Sequence, residues 1–275
     1  MSPSSWKWIA ARELTNQILP IVIAAVSLLT PLWLLMHLQQ TPNGATGGQD
    51  DYQLAADQTR WPNPKYVSTA LVGFKFDHPV TVVTWTQKRW VPSYEQPNPT
   101  KVSRDTWVTV VPFLKAFCQA YVRTQKASDE QVALRLRQHL GLPPDAGYDT
   151  FVELTVDPKD NTANPGMFRP CGDSSLETTT CKTPTIPEAS EVWTSAASSS
   201  QFKDQAQEWL LRNYDSNYAE ERPYPWTELG YTFDWARKEN TDDFVRYGES
   251  EFVIPKGTVV HFVSQASTAE YCAAQ

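Results

Sequence analysis

Glu228 and Asp234 sit in the densest aromatic cluster of the chain, residues 224–235 (YPWTELGYTFDW), with Tyr224, Trp226, Tyr231, Phe233 and Trp235 around them. Paired carboxylates cleave glycosides, one as proton donor and the other as nucleophile or base, and flat rings stack on sugars. The spacing argues against that use. In an extended segment, residues six apart point the same way but stand about 20 Å apart. Two other readings remain open. The segment is an irregular packed loop whose Tyr and Trp polar atoms bond to backbone, or the five rings form a candidate interaction surface.

Other catalytic constellations are missing. A serine hydrolase would show G-x-S-x-G or a Ser near His and an acid, and neither is evident. Of the four histidines, His37 ends an apolar run and His139 lies in a helical pattern. His78 falls in a turn-like Asp-His-Pro and His261 in a strand-like run, where solvated histidines are ordinary. No G-x-x-x-x-G-K-[ST] or G-x-G-x-x-G cradles a phosphate. The acidic pairs, Asp242-Asp243 and Asp157 with Asp160, lack the alternation of a calcium loop. No catalytic residue, cofactor or metal ligand is assigned from the sequence.

Cys118, Cys171, Cys181 and Cys272 are the only cysteines. Their spacing is not that of a zinc site, and an even number fits two disulfides in an oxidising compartment. Four cysteines allow three connectivities. The short span from Cys171 to Cys181 makes them the expected pair, leaving Cys118 with Cys272.

A membrane segment must carry these residues to such a compartment. Residues 18–38 (ILPIVIAAVSLLTPLWLLMHL) contain no Asp, Glu, Lys or Arg. At the helical rise they extend roughly 31 Å, about the thickness of the hydrocarbon core. Trp6, Trp8 and Trp33 suit the headgroup zones. Lys7 and Arg12 precede the run, so residues 1–17 are expected in the cytoplasm and the remainder in the periplasm of a two-membrane envelope. The run is longer than a cleavable signal's apolar region, so it reads as an uncleaved anchor in the inner membrane. The chain has 24 basic and 31 acidic residues, a formal charge of −7. That balance repels nucleic acid, which is excluded as a partner.

Residues 39–65 read as a Gly- and Pro-rich tether, and 66–275 as the exported domain. Within it, residues 66–76 and 80–85 are β-branched runs that predict a hairpin turning at His78. Another strand is expected over 106–111. Leu114, Cys118 and Tyr121 share a helical face over 113–123. Ser128 and Gln131 make a capping box for a helix stopping at Gly141. A strand follows over 151–156, then a long irregular excursion over 157–200, a helix over 201–214, and a hairpin of strands 250–254 and 258–264. The expected fold class is α+β: one transmembrane helix plus a periplasmic α+β domain with long irregular loops.

The YPWTxLGYTxDW motif, with MFRPC at 167–171 and LGLPP at 140–144 upstream, resembles a group of membrane-anchored, exported proteobacterial proteins to which no activity is assigned. The likeness spans about residues 105–255. It implies an envelope location and supplies no catalytic residue. The anchor, the long excursion and eleven tryptophans point first to a structural or accessory subunit of a larger membrane protein complex, since Trp and Tyr anchor interfaces. A periplasmic glycan-binding module using the aromatic cluster is the alternative, and a hydrolase using Glu228 or Asp234 the third.

Overall fold

The structure, a computed structural model, describes residues 48–162, 166–184, 205–221 and 223–273. The apolar segment 18–38 and the residues before it lie outside these. Among the described residues no helix is long and apolar enough to cross a membrane. In chain order the elements are α1 (Gln49–Thr59), β1 (Val80–Thr86), the short α2 (Pro92–Glu95), β2 (Thr100–Lys101), β3 (Thr106–Val110), α3 (Phe113–Gln125) and α4 (Asp129–His139). There follow β4 (Thr150–Val156), α5 (Gln205–Ala219), β5 (Tyr231–Arg237), β6 (Phe244–Ser250), β7 (Phe252–Ile254), β8 (Val259–Ser267) and α6 (Thr268–Cys272). The fold is α+β, with antiparallel pairing throughout.

Six strands make the main sheet, in the order β2-β8-β4-β1-β3-β7, and β5 and β6 form a separate pair. Alternation along β1 sends Val80 and Val82 to one face, where they join Val152, Leu154 and Val156 of β4, Val108 of β3, and Phe252 and Ile254 of β7. On the other face Trp85 stacks on Phe151 (5.6 Å), and Phe151 on Tyr271 (4.2 Å). There α3 buries Leu114, Phe117, Cys118 and Tyr121, and the Cys118–Cys272 disulfide ties it to α6. The second disulfide, Cys171–Cys181, sits in the excursion among Leu71, Leu229 and Tyr231. Both bonds match the pairing expected from spacing.

The sequence-based expectation holds at α4, whose Ser128 capping box is formed and whose C-terminal Gly141 has φ +67°. It fails at four places. The expected hairpin of 66–76 with 80–85 is absent, because both neighbours of β1 are already taken by β4 and β3. Residues 66–76 are instead irregular and bond to the disulfide loop, Leu71 N–H to Thr179 O (3.1 Å) and Phe74 N–H to Leu176 O (2.8 Å). Strands β7 and β8 are not a hairpin either, since they pair with β3 and β4 and lie toward opposite sides of the sheet. The tether expected over 39–65 holds α1, which buries Tyr52 and Ala55 against Phe233, Trp235 and Phe244. Last, 231–237 is strand β5, not loop. The described part of the excursion, 157–162 and 166–184, does lack helices and strands.

Candidate functional site

Strands β1 and β3 pair only at Val82↔Val110 and Val83↔Thr109. Beyond that they part: β1 continues beside β4 to Thr86, while β3 turns to β7 at Thr106, Trp107 and Val108. A cleft of about 520 Å³ opens in the fork, a volume within the range of small-ligand sites. Trp85, Trp90, Trp107, Tyr148, Tyr224 and Trp226 line it, with Arg104 and Glu251 among the charged groups. Trp107 is 40% exposed and is gripped edge-on by Trp209 (5.4 Å) and Trp226 (5.5 Å). Trp90, 41% exposed, lies under the guanidinium of Arg104 at 4.4 Å and near that of Arg89 at 5.3 Å. These are cation–π contacts that hold the ring.

Only part of the expected aromatic surface reaches this cleft. Tyr224 is exposed at its mouth, and Trp226 lines it while largely buried. Tyr231, Phe233 and Trp235 are core, although Phe233 also borders the cleft while fully buried: Tyr231 bonds its hydroxyl to Tyr66 O (2.8 Å), and Trp235 its Nε1–H to Leu142 O (3.0 Å). The reason is the β5–β6 pair, which turns these side chains onto α1, α4 and the disulfide loop. Truncating Trp235 would cost about 3–5 kcal/mol in packing, so it reports folding and not binding.

The two acids of the cluster part company. Asp234 is fully buried and takes Arg135 in a two-pronged pair, Nη1 to Oδ1 at 3.0 Å and Nη2 to Oδ2 at 2.6 Å. His139 bridges Asp234 Oδ2 (2.9 Å) and Glu249 Oε1 (3.0 Å), stacked on Phe117 at 3.7 Å. Burial alone would raise Asp234, but the Arg135 charge and the His139 bond hold its carboxyl well below the usual range. Burial would lower His139, and its bonds to the two carboxylates reverse that and raise it. As an imidazolium it donates at both nitrogens.

Glu228 is also fully buried, at φ +53°, a left-handed backbone that Glu rarely takes. Neither of its carboxyl oxygens has a partner at hydrogen-bonding geometry. The nearby Tyr218 hydroxyl donates instead to Trp226 O at 3.2 Å. Glu251, which no sequence motif marks, is the companion: Trp226 Nε1–H donates to its Oε1 at 3.1 Å. Burial pushes Glu251 up to about 8 against the Trp226 bond and the Arg169 charge, and burial with the Glu251 charge pushes Glu228 well up too. Arg169 is the nearby cation, but its Nη groups go to the carbonyls of Gly230, Val72 and Thr178. Gly230 (φ +78°) allows that approach, since a Cβ there would meet Arg169 Cδ at 2.8 Å.

The other described histidines are exposed or half-buried and hydrogen-bonded to carboxylates, His78 with Asp77 (2.6 Å) and His261 with Asp160 (2.6 Å). Among the described residues no group of three or more His, Cys, Asp or Glu could hold a metal ion. Trp90, Trp107, Arg104 and Glu251 are not singled out by motif or spacing. A signal existed for Glu251, an acid placed inside the strand-like run 250–254. Comparison of the chain with protein families, curated proteins and solved structures gives no match.

Proposed function

We propose that this chain is a membrane-anchored accessory subunit of a larger envelope complex, with residues 18–38 in the inner membrane and the α+β domain in the periplasm. One observation carries the reading: three large rings, Trp90, Trp107 and Tyr224, stay about two-fifths exposed around one cleft. Exposed, rigidly held aromatics of this kind are the anchors of protein interfaces. A second surface fits the same role. The outer edge of β8 from Val263 to Ser267 has no strand partner among the described residues. It also carries no charge or proline to guard it, and such edges pair with other chains. The two disulfides accord with an exported domain.

The catalytic alternative loses its pair of acids, since Asp234 is closed into the Arg135–His139 network. The glycan-binding alternative keeps Tyr224 and Trp226 of its five rings and gains Trp107. The test is native electrophoresis of the full chain after extraction in mild detergent. Co-migration with other membrane proteins is expected. Val263→Lys should weaken it while changing stability by no more than about 0.5 kcal/mol, as exposed substitutions do. A chain that migrates alone in every detergent overturns the reading.

A further inference from the structure

We propose that the fork between β1 and β3 is a receptor for an extended peptide segment of a partner protein, one carrying an aromatic or proline residue next to an acid. This rests on the accessory-subunit reading and names the way the partner is held. The cleft is a sheet with one strand's worth of pairing removed. Thr84–Trp85–Thr86 keep β4 on one side and Thr106–Trp107–Val108 keep β7 on the other, and no backbone bond between described residues crosses the gap. Along an antiparallel strand the N–H and C=O groups alternate in direction. Each three-residue stretch therefore turns at least one such pair toward the cleft. An extended main chain complements both rims, which is recognition by strand addition.

The side chains give the sequence preference. Trp107 is fixed by two edge-on indoles, so binding against it costs little ordering. Arg89 and Arg104 flank Trp90, and no carboxylate among the described residues pairs with either. In a chain of net charge −7 that rim suits an acidic residue of the partner.

The polar groups of the cleft disfavour a sugar. Hydroxyl groups need free planar acceptors and donors, and several of those in the cleft are in use. Asp105 accepts from Trp209 Nε1 (2.7 Å) and Lys256 N–H (2.8 Å), and Asn217 is bonded to both the N–H and the C=O of Tyr224. Asn213 donates to Trp209 O, and Glu251 receives Trp226. What is left is main chain, ring, the two guanidinium groups, Gln87 and Glu220.

The experiment uses the full chain in detergent with a displayed library of random dodecapeptides, and N-acetylglucosamine tetramer as the rival ligand. Enrichment of peptides with an aromatic or proline beside Asp or Glu is expected. The winning peptide should protect the amides of residues 84–86 and 106–108 from hydrogen exchange. N-methylation of its alternate amides should weaken binding at least tenfold, which recognition of side chains alone would not produce. Trp107→Ala should weaken it tenfold or more with the main melting transition retained, and Arg104→Gln should remove the preference for an acid. No enrichment, protection confined to other strands, or saturable sugar binding that Trp107→Ala abolishes would each overturn the proposal. Peptide binding by a chain that migrates alone sinks the accessory-subunit reading and leaves the cleft. An intact complex with no peptide binding does the reverse.

Discussion

Two buried ionic clusters flank the β5–β6 pair, and they are built from similar parts to opposite effect. Asp234 on β5 and Glu249 on β6 share His139, Arg135 also pairs with Asp234, and both oxygens of Asp234 are bonded. Just outside the same two strands, Glu228 precedes β5 and Glu251 follows β6. Their nearby cation, Arg169, is turned onto backbone carbonyls, and neither oxygen of Glu228 meets a partner at bonding geometry. Buried charges are tolerable when paired and costly when not. The first cluster is therefore cement for α4 against the hairpin. The second is the costlier to ionise, since burial pushes both carboxyls up, and it lies beside the cleft through the Trp226–Glu251 bond.

The largest test of that contrast is Asp234→Asn. It takes the carboxylate away from the two-pronged Arg135 pair and leaves His139 only Glu249, and should cost about 3–5 kcal/mol, measured by denaturant unfolding at neutral pH. The pH dependence has a definite sign. Asp234 sits below its unfolded value, so its contribution is present above the ordinary carboxylate range and lost as pH falls through the folded value. His139 sits above its unfolded value, so its contribution is full below about pH 6.5 and lost as pH rises through the folded value. A loss below about 1 kcal/mol in the variant would mean that this cluster is no more structural than the other.

Glu251→Gln should act in the opposite direction. The folded carboxyl titrates near 8 against 4.5 when free, so the folded state holds the extra proton between those values and stability falls across that window as pH rises. Each tenfold change in proton affinity is worth about 1.4 kcal/mol. Discounted for relaxation of the buried pair, the variant should gain roughly 2–4 kcal/mol over the native chain at about pH 9. At about pH 5 it should gain almost nothing. Equal effects at the two pH values would place Glu251 with the satisfied cluster.

This contrast was half legible in the sequence. Capping residues, the inward face of α3 and the short Cys171–Cys181 span act locally and read true, and the long Cys118–Cys272 bond followed only by elimination. Spacing argued against Glu228 and Asp234 as a pair, but it reports only distance along the chain and could not say where each would go. Asp234's partners come from 95 and 99 residues away, and no local rule carries that. Burial of the rings was hidden for a related reason: Tyr231, Phe233 and Trp235 are the same residue types whether they face α1 or solvent, and only the register of β5 decides. Helix α1 was invisible because a short isolated helix is marginal in water. Its support is tertiary, with Tyr52 set edge-on against Trp235 at 5.8 Å.

The smallest effect sharpens the link between Glu228 and Glu251 and the cleft. Trp226→Phe keeps most of the ring but removes the N–H that reaches Glu251 at 3.1 Å. At about pH 6 Glu251 is protonated, and the lost bond is one between neutral groups, worth about 1 kcal/mol. At about pH 9 it is a bond to a carboxylate, worth about 1.5–3 kcal/mol. The packing lost with the smaller ring is the same at both values, so the difference between the two unfolding measurements isolates the hydrogen bond. That difference should be positive and should vanish when Glu251→Gln is added. If the cost of Trp226→Phe is independent of pH, Trp226 is held by its neighbours Trp107 and Trp209 alone, and the acids beneath it have no hold on the cleft.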